Sequence, residues 1–211
     1  MSSKNLSVTL HDTDSKFIFW IEISKDYTNF NENLFIGIVY VPPEGSRYTD
    51  RNAFNEIENE ILEIMSKTNL ILLAGDFNAR TGVENDFYDF SNDRTVDNSG
   101  ILGNFYDLSV FGFEDTRKSC DLTVSTYGKL LLDTCRSLNM FIMNGRLGEN
   151  KNGLTTCKDV SVVDYFICTY DVIIYLNNMQ VLETSSLFSD VHNPITLSIN
   201  INPPPKPHET P

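Results

Sequence analysis

Short runs of hydrophobic residues separated by polar turns set the pattern of the chain from residue 17 onwards. The runs FIFWIEI and LFIGIVYVPP are rich in β-branched and aromatic residues, which favour strands, and two prolines end the second run. In two other places hydrophobic residues recur every three or four positions, which is the spacing of one helix face. In chain order the pattern predicts strands at 17–23 and 34–43, a helix around 54–65, a strand at 70–74, a helix at 126–139, and strands at 140–145, 161–169, 178–184 and 187–199.

Polar segments separate and end these elements. Thr49 or Asp50 is the predicted N-cap of the first helix, because either side chain can accept a hydrogen bond from the first turn. Residues 83–120 are predicted to form a long excursion with one or two short helices. We expect one domain over 1–200 and a proline-rich linker or tail over 201–211. Many strands with two good helices predict a β-rich α/β or α+β domain of two packed sheets.

The composition is that of a globular protein. Hydrophobic residues make up 41% of the 211 residues and aromatic residues 11%, which is enough for a substantial core. No apolar run approaches the ~20 residues of a membrane span, and the first residues contain no signal-peptide core. The four cysteines form no Cys-x-x-Cys pair, so reduced thiols in the cytosol or nucleus are expected. We therefore expect an intracellular protein that is neither secreted nor bound to a membrane.

The net charge of −13 restricts how the protein can meet nucleic acid. A protein that coats DNA by bulk electrostatics should be basic, so this charge argues against such a role. It is compatible with an enzyme that meets phosphates through a bound cation and a few local basic residues, because carboxylates commonly collect Mg²⁺. A solvated acidic surface is the simpler explanation for most of these charges.

The strand LILLA runs directly into the sequence Gly-Asp-Phe-Asn. Side chains two positions apart on a strand share a face, so Asp76 and Asn78 are expected to point the same way. A carboxylate beside a carboxamide can orient a water molecule against a phosphate, and Gly75 permits close approach of backbone or substrate. Gly-Asp-x-Asn is also good turn chemistry. The tetrapeptide alone leaves both interpretations open.

Three further positions carry candidate chemistry. Asp164 interrupts an apolar strand, so its carboxylate must be paired with another group, bound to a metal, or on a solvent-exposed face. Asp190 and His192 share a face if their segment is extended, and a histidine held by an aspartate would stay cationic beside a phosphate. Tyr40 is a phenol at the end of a strand. Each has an ordinary alternative: a solvent-facing edge position, a structural histidine, or a common β-sheet aromatic.

Together these features form an ordered series. A strand ends in YVPP, LLAGDFN follows the first helix, VVDYF comes later, and SDVHNP precedes an apolar strand. From residue 35 to residue 197 the series resembles the endonuclease/exonuclease/phosphatase superfamily, in particular the apurinic-site-type endonuclease domain of non-LTR (LINE-type) retrotransposons. The resemblance implies an α+β fold, the DNase I-like four-layer α/β/β/α sandwich. It also implies hydrolysis of a DNA phosphodiester assisted by Mg²⁺ or Mn²⁺, leaving a nick with 3′-hydroxyl and 5′-phosphate ends that primes reverse transcription.

The resemblance also implies roles for individual residues. Asp76 would position or deprotonate the attacking water, and Tyr40 would contact the scissile phosphate. Asp164 would orient the ring of His192, whose imidazolium would stabilise charge on the phosphoryl oxygens. The other implied contacts are phosphate or DNA binding by Asn78, Arg80 and Asn144, and metal binding by Asp190 and Asp76. The implied partners are a DNA substrate, in the nucleus, and a reverse transcriptase domain that follows the chain.

The sequence departs from the family pattern in two places. The common motif Ser-Asp-His-x-Pro here has Val191 between Asp190 and His192, an insertion that a β-bulge could absorb. Before residue 17 there is no counterpart of the opening strands, nor of the Gln-Glu-Thr segment whose Glu binds the metal. We therefore expect a domain that lacks its first strands and helix, exposes a strand edge and holds its metal weakly.

Three functions stay open at this point. The first is a DNA-nicking endonuclease domain, which the series of site residues favours. The second is a catalytically inactive fragment of that domain that acts as a binding module, which the missing Glu favours. The third and weakest alternative is a phosphatase of the same superfamily.

Overall fold

The structure is a computed structural model that describes residues 7–88, 107–114, 116–183 and 191–201. Within these ranges no helix is long and apolar enough to cross a membrane. The strands are β1 (Val8–His11), β2 (Ile18–Ile23), β3 (Leu34–Tyr40), β4 (Ile71–Asp76), β5 (Met140–Ile142), β6 (Asp164–Thr169), β7 (Leu176–Val181) and β8 (Ile195–Ile199). The helices are α1 (Ala53–Met65), α2 (Thr126–Leu138) and the single turn α3 (Tyr170–Ile173), and short 3-10 turns cover Lys25–Tyr27, Leu108–Phe111 and Gly148–Asn150.

Six strands form the main sheet in the order β1-β2-β3-β4-β6-β5. β3 and β4 are parallel, and the other neighbouring pairs of this sheet are antiparallel. A parallel pair needs a crossover connection, which α1 supplies between β3 and β4. β7 and β8 form a separate antiparallel pair. The carboxyl ends of β3 and β4 and the first residue of β6 consequently lie at one edge of the main sheet.

Both faces of the main sheet are buried, which explains why its central strands are almost continuously apolar. Helices α1 and α2 pack on one face, where they meet Leu73 of β4 and Ile167 of β6. The second sheet packs on the opposite face, where Met179 of β7 joins a cluster with Leu72 and Phe166. These are three layers of the sandwich that the resemblance implies. The predicted α+β class with two packed sheets is confirmed.

Helix α2 docks onto the loop that follows β4. The Ser125 hydroxyl oxygen accepts hydrogen bonds from the backbone N–H of Gly128 (3.0 Å) and of Arg80 (3.1 Å). The Ser125 N–H donates in turn to the Arg80 carbonyl oxygen at 2.9 Å. A Cβ at Gly128 would overlap this carbonyl group, so a residue without a side chain is required there. The N-terminus of α2 therefore fixes the chain immediately after the GDFN segment.

The predicted elements are present, and the differences lie mainly at their ends. The prediction that Thr49 or Asp50 caps α1 is wrong, because Asn52 is the N-cap. Asp50 instead accepts a hydrogen bond from the Asn52 N–H at 3.0 Å, which closes a turn before the helix begins. The second predicted strand ends at Tyr40 rather than at its prolines, because proline cannot donate to a strand ladder.

Two elements have no signal in the hydrophobic pattern. The apolar residues of β1, Val8 and Leu10, are 54% and 65% exposed, so this edge strand has no buried face to reveal it. α3 is a single turn and too short for a periodicity.

Of the predicted excursion over 83–120, the described part contains one 3-10 turn, and 89–106 and residue 115 lie outside the described residues. The start of the last predicted strand and nearly all of the predicted tail also lie outside them.

Two neighbouring residues of α1 test the packing of the helix layer. Ile61 is fully buried at 0% exposure, whereas Leu62 is 49% exposed. We expect Ile61→Ala to lower the free energy of unfolding by about 2–5 kcal/mol, because it removes buried methyl groups and leaves a cavity. Leu62→Ala should change it by less than about 0.5 kcal/mol. Urea denaturation followed by circular dichroism measures both, and equal effects would contradict the assigned helix orientation.

Candidate active site

Three polar side chains lie in a row across the edge of the main sheet. In the parallel pair, Tyr40 of β3 is opposite Asp76 of β4, and in the antiparallel pair Asp76 is opposite Asp164 of β6. Asp76 shares a strand face with Leu72, and Asp164 shares one with Phe166, so both carboxylates project on the side of the second sheet. The strand register alone therefore brings together residues that are far apart in sequence.

The GDFN segment forms a turn in which Asn78 donates hydrogen bonds to the carboxylate of Asp76. The Asn78 backbone N–H donates to Asp76 Oδ1 and the Asn78 side-chain amide donates to Asp76 Oδ2, both at 2.8 Å. The same amide nitrogen donates to the Val41 carbonyl oxygen at 2.8 Å, which ties the turn to the end of β3. Asn78 has a φ of 46°, and Gly75 has a φ of 146° where a Cβ would overlap the Val39 carbonyl oxygen. The turn interpretation of this segment is thus confirmed, and its chemical interpretation stays a prediction.

His192 comes to these carboxylates from the loop before β8. Its Nδ1 lies 3.0 Å from Asp164 Oδ2 and 3.2 Å from Oδ1, and its Nε2 lies 3.9 Å from Asp76 Oδ2. An isolated bridge to Cys157 and the Asn193 N–H bond to the Thr156 carbonyl oxygen (2.8 Å) hold this loop. The predicted pairing of Asp164 with His192 is therefore observed in the geometry.

Partial burial makes the two carboxylates unlike ordinary surface aspartates. The side chains of Asp76 and Asp164 are 17% and 13% exposed. Burial, reinforced by the charge of Asp164, raises the pKa of Asp76 to about 6 against the hydrogen bonds from Asn78. Burial also raises the pKa of Asp164, although hydrogen bonds with His192 and Thr156 oppose it. Asp76 can consequently exchange a proton near neutral pH, as a general base must.

Among the described residues, the side chains of Arg80 and Asn144 are hydrogen-bonded to groups other than the side chains of this cluster. The Arg80 guanidinium makes a bidentate pair with the buried Asp121, at 2.7 and 2.6 Å. Asn144 is buried, with its side chain bonded to the Asp164 carbonyl oxygen and the Phe166 N–H. Both therefore brace the surroundings of the site, and their predicted contacts with phosphate or DNA stay predictions. Tyr40 is 57% exposed beside Asp76, and Asp190 lies outside the described residues.

Two residues at the site carried no signal in the sequence. The Thr156 hydroxyl oxygen accepts the backbone N–H groups of Val163 and Asp164, each at 3.1 Å, and so fixes the start of β6. Cys157 Sγ lies 3.8 Å from His192 Nε2. Burial and the charge of Asp164 raise the pKa of the Cys157 thiol, so it is not an activated nucleophile. Only the three-dimensional pairing of its loop with His192 reveals this cysteine.

A buried ion pair supports the segment that leaves the site. The side chains of Asp86 and Arg146 are both 0% exposed and form a bidentate pair with distances of 2.6 and 2.8 Å. Asp86 also accepts the backbone N–H of Ile142 at 2.6 Å, which links the pair to β5. Arg117 donates to the Thr81 hydroxyl at 3.1 Å on the loop after Asn78. Since buried charges are tolerated only when paired, this network has a structural role.

Three donors of the site are close enough to share a cation. One ligand atom each of Asp76, Asp164 and His192 lies within 4.8 Å of the others. In proteins Mg²⁺ is usually held by one or two carboxylates, with water and substrate phosphates completing its shell. The described donors fit an ion held in this loose manner.

The site thus sets an aspartate–asparagine turn opposite an aspartate–histidine pair, on a fold that known proteins share. Among solved structures, the chain is similar to the endonuclease domain of TRAS1, a telomere-specific non-LTR retrotransposon, with a TM-score of 0.55 and 16% identity over 94% of this chain and 69% of that one. It is equally similar, with a TM-score of 0.55, to the 3′-5′ exonuclease NExo from Neisseria meningitidis at 13% identity, over 94% of this chain and 73% of that one.

A further structure, of the 3′ phosphatase NExo from Neisseria bound to a product DNA hairpin, matches with the same TM-score of 0.55 at 15% identity, over 94% of this chain and 73% of that one. No protein-family model matches the chain, and no curated protein does either. At these identities the likeness shows the fold, and the fold that the predicted resemblance implies is confirmed. The predicted loss of the opening strands and helix stays a prediction.

The raised pKa of Asp76 predicts a pH-dependent effect of its removal on stability. The folded state holds the Asp76 proton up to a pH of about 6, whereas the unfolded chain releases it near 3.8. Ionised Asp76 therefore costs stability as the pH rises through this window. Relative to wild type, Asp76→Asn should gain about 1–3 kcal/mol between pH 3 and pH 7. Denaturant melts across that range measure the difference, and a difference independent of pH would contradict the raised pKa.

Proposed function

We propose that this chain carries a metal-dependent hydrolase site for DNA phosphodiester bonds. The observation that supports this most directly is the convergence of Asp76, Asn78, Asp164 and His192 at one edge of the main sheet. Asp76 is a partly buried carboxylate with a raised pKa. His192 lies 3.9 Å from it and is oriented by the second carboxylate, that of Asp164. This arrangement matches the needs of phosphoryl chemistry, in which a base prepares water and fixed donors stabilise the developing charge.

The residues divide this work between them. Asp76, when ionised, accepts a proton from the attacking water. Asp164 holds the His192 ring so that Nε2 faces the space beside Asp76, where the protonated ring can donate to a phosphoryl oxygen. Asn78 uses its amide to hold Asp76 in place, and Tyr40 presents an exposed phenol next to it. Attack breaks the bond between phosphorus and the 3′ oxygen, which leaves 3′-hydroxyl and 5′-phosphate ends.

A divalent cation, Mg²⁺ or Mn²⁺, is the expected cofactor. Asp76 would hold it, with Asp190 as a second predicted ligand outside the described residues. When bound, the ion acts as a Lewis acid on the phosphate and offsets its charge. An ion in this place would also supply the positive charge that a protein of net charge −13 lacks.

The substrate is proposed from the likeness to proteins that act on DNA. The similarity to a retrotransposon endonuclease domain favours nicking of a DNA strand within a duplex. In that setting the domain would act in the nucleus beside a reverse transcriptase. The similarity to an exonuclease that is also a 3′ phosphatase gives a second candidate, removal of nucleotides or phosphate from a 3′ end. A fragment that binds DNA without cleaving it is the remaining alternative.

The proposed DNA cleavage predicts that it requires the carboxylate of Asp76. Purified protein with Mg²⁺ should convert supercoiled plasmid to the nicked form, and Asp76→Ala should slow this by about 100- to 10,000-fold because it removes the base. Asp133→Ala is the matched control, since its side chain on α2 is 66% exposed and remote from the cluster. Agarose gels give the rates. Equal nicking by wild type and Asp76→Ala would contradict the assignment.

The same protein can be given substrates that separate the candidate functions. Covalently closed plasmid has no ends, so only an endonuclease converts it. A duplex oligonucleotide with a recessed 3′ phosphate reports phosphatase and exonuclease activity instead. Hydrolysis of neither, together with a gel shift showing DNA binding, would favour the binding module over both enzymes.

The acid side of the pH–rate profile should follow the ionisation of Asp76. Because only the ionised carboxylate accepts a proton, the rate should rise with pH and reach half its plateau near pH 6. Single-turnover nicking of plasmid across pH 4.5–8 measures this, in buffers of constant ionic strength. A rate that is flat from pH 5 upwards would show that Asp76 titrates normally or is not the base.

A further inference from the structure

An arginine and a tyrosine stack on each other in the loop that follows β3. The Arg47 guanidinium lies over the Tyr48 ring, 4.5 Å from its centroid, and donates a hydrogen bond to the Tyr48 hydroxyl. Tyr48 is 62% exposed, and Arg47 is exposed beside it. Within the described ranges no carboxylate forms an ion pair with Arg47. The loop thus presents a cation and an aromatic ring to solvent as one unit.

Hydrogen bonds within the loop hold this pair in place. The Pro43 carbonyl oxygen accepts the Ser46 N–H and the Thr49 hydroxyl, both at 3.1 Å. The Ser46 carbonyl oxygen accepts the Thr49 N–H at 3.1 Å, and the Ser46 hydroxyl oxygen accepts the Tyr48 N–H at 3.2 Å. The loop is therefore a closed turn, and a ligand that binds to it need not first order it.

The loop begins at the edge of the main sheet where the candidate active site lies. The Val41 N–H donates to the Asp76 carbonyl oxygen at 2.9 Å, and the Val41 carbonyl oxygen accepts the Asn78 side-chain amide at 2.8 Å. Two residues further on, Pro43 anchors the turn that carries Tyr48. Because each residue spans at most ~3.6 Å and the turn folds back on Pro43, Tyr48 lies on the order of 20 Å from Asp76. About six nucleotides of a DNA strand span this distance at ~3.4 Å each.

We propose that the Arg47–Tyr48 stack binds an unpaired nucleobase of the DNA substrate, within about six nucleotides of the bond that is cleaved. An exposed tyrosine ring can stack on the flat face of any base, and an adjacent arginine adds a cation–π contribution. Bases inside an intact duplex are already stacked on both faces. The site therefore selects a base in a gap, in a bulge or at a strand end, where little stacking is lost. That the ligand is DNA rests on the proposed function.

The charge of the chain gives this local contact its importance. At a net charge of −13 the protein as a whole repels nucleic acid, so an unpaired cation near the site attracts it where the rest of the surface does not. A contact with phosphate would need only the positive charge of Arg47, which a lysine also carries. A contact with a base needs the planar guanidinium and the ring of Tyr48 together. Arg47→Lys therefore separates a base site from a phosphate site.

Binding to two DNA duplexes tests the site without any hydrolysis. One duplex is intact, and the other has a short single-stranded gap that contains 2-aminopurine, whose fluorescence falls when it stacks. Fluorescence anisotropy at low salt, with EDTA present, gives both affinities. Wild type should bind the gapped duplex more tightly, and Tyr48→Ala should weaken that binding by about 5- to 150-fold. Tyr48→Phe should keep the preference because it retains the ring. Arg47→Lys should weaken binding to the gapped duplex by about 2- to 30-fold through loss of the planar contact.

The opposite end of the main sheet provides matched controls. Lys25 and Tyr27 lie in the 3-10 turn between β2 and β3, where Lys25 is exposed and Tyr27 is 41% exposed. Lys25→Ala and Tyr27→Ala remove the same kinds of group from a surface remote from the site. Both should leave the two affinities unchanged. Circular dichroism melts verify that each variant is folded.

The outcomes separate this proposal from the proposed function. Equal affinities of Tyr48→Ala and Tyr27→Ala, or 2-aminopurine fluorescence that does not fall on binding, would overturn the base site. Full binding by Arg47→Lys would overturn it too and would show a phosphate contact only, and so would wild type that binds neither duplex. Plasmid nicking by wild type alongside any of these results would leave the hydrolase standing. Binding that depends on Tyr48, without nicking, would support the base site and refute the hydrolase.

Discussion

The pairing of β3, β4 and β6 is the constraint on which the rest of the site depends. Parallel pairing sets Tyr40 beside Asp76, and antiparallel pairing sets Asp76 beside Asp164. A shift of one residue in β6 would turn Asp164 to the helix face and bring Val163 or Tyr165 to the edge. Thr156 opposes such a shift by binding two successive backbone N–H groups at the start of β6. Buried apolar residues on both faces of the sheet oppose it as well, because a slip would exchange the contents of the two cores.

Two neighbouring, partly buried carboxylates are unfavourable, and the surrounding polar contacts show how the fold tolerates them. Asp76 receives two hydrogen bonds from Asn78, and Asp164 lies against His192. These contacts only partly offset burial, since the pKa of Asp76 still stands at about 6. The ionised carboxylate of Asp76 therefore still destabilises the folded state. A proton from a substrate, or a bound cation, could offset that charge. A cost retained at one position, while the charges of Asp86 and Arg146 offset each other in an ion pair, is typical of functional rather than structural carboxylates.

The sequence predicted the parts of this arrangement that are local. Strands and helices followed from hydrophobic periodicity, and Asp76 and Asn78 were identified as a pair because they are two residues apart on one strand end. The pairing of Asp164 with His192 came from the resemblance, and the structure shows it. The parts that could not be predicted depend on contacts between distant segments: the Arg80–Asp121 pair spans 41 residues and Cys157 meets His192 across 35. Arg80 and Asn144 illustrate the limit, because a motif indicates a polar residue near the site but not which partner it already holds.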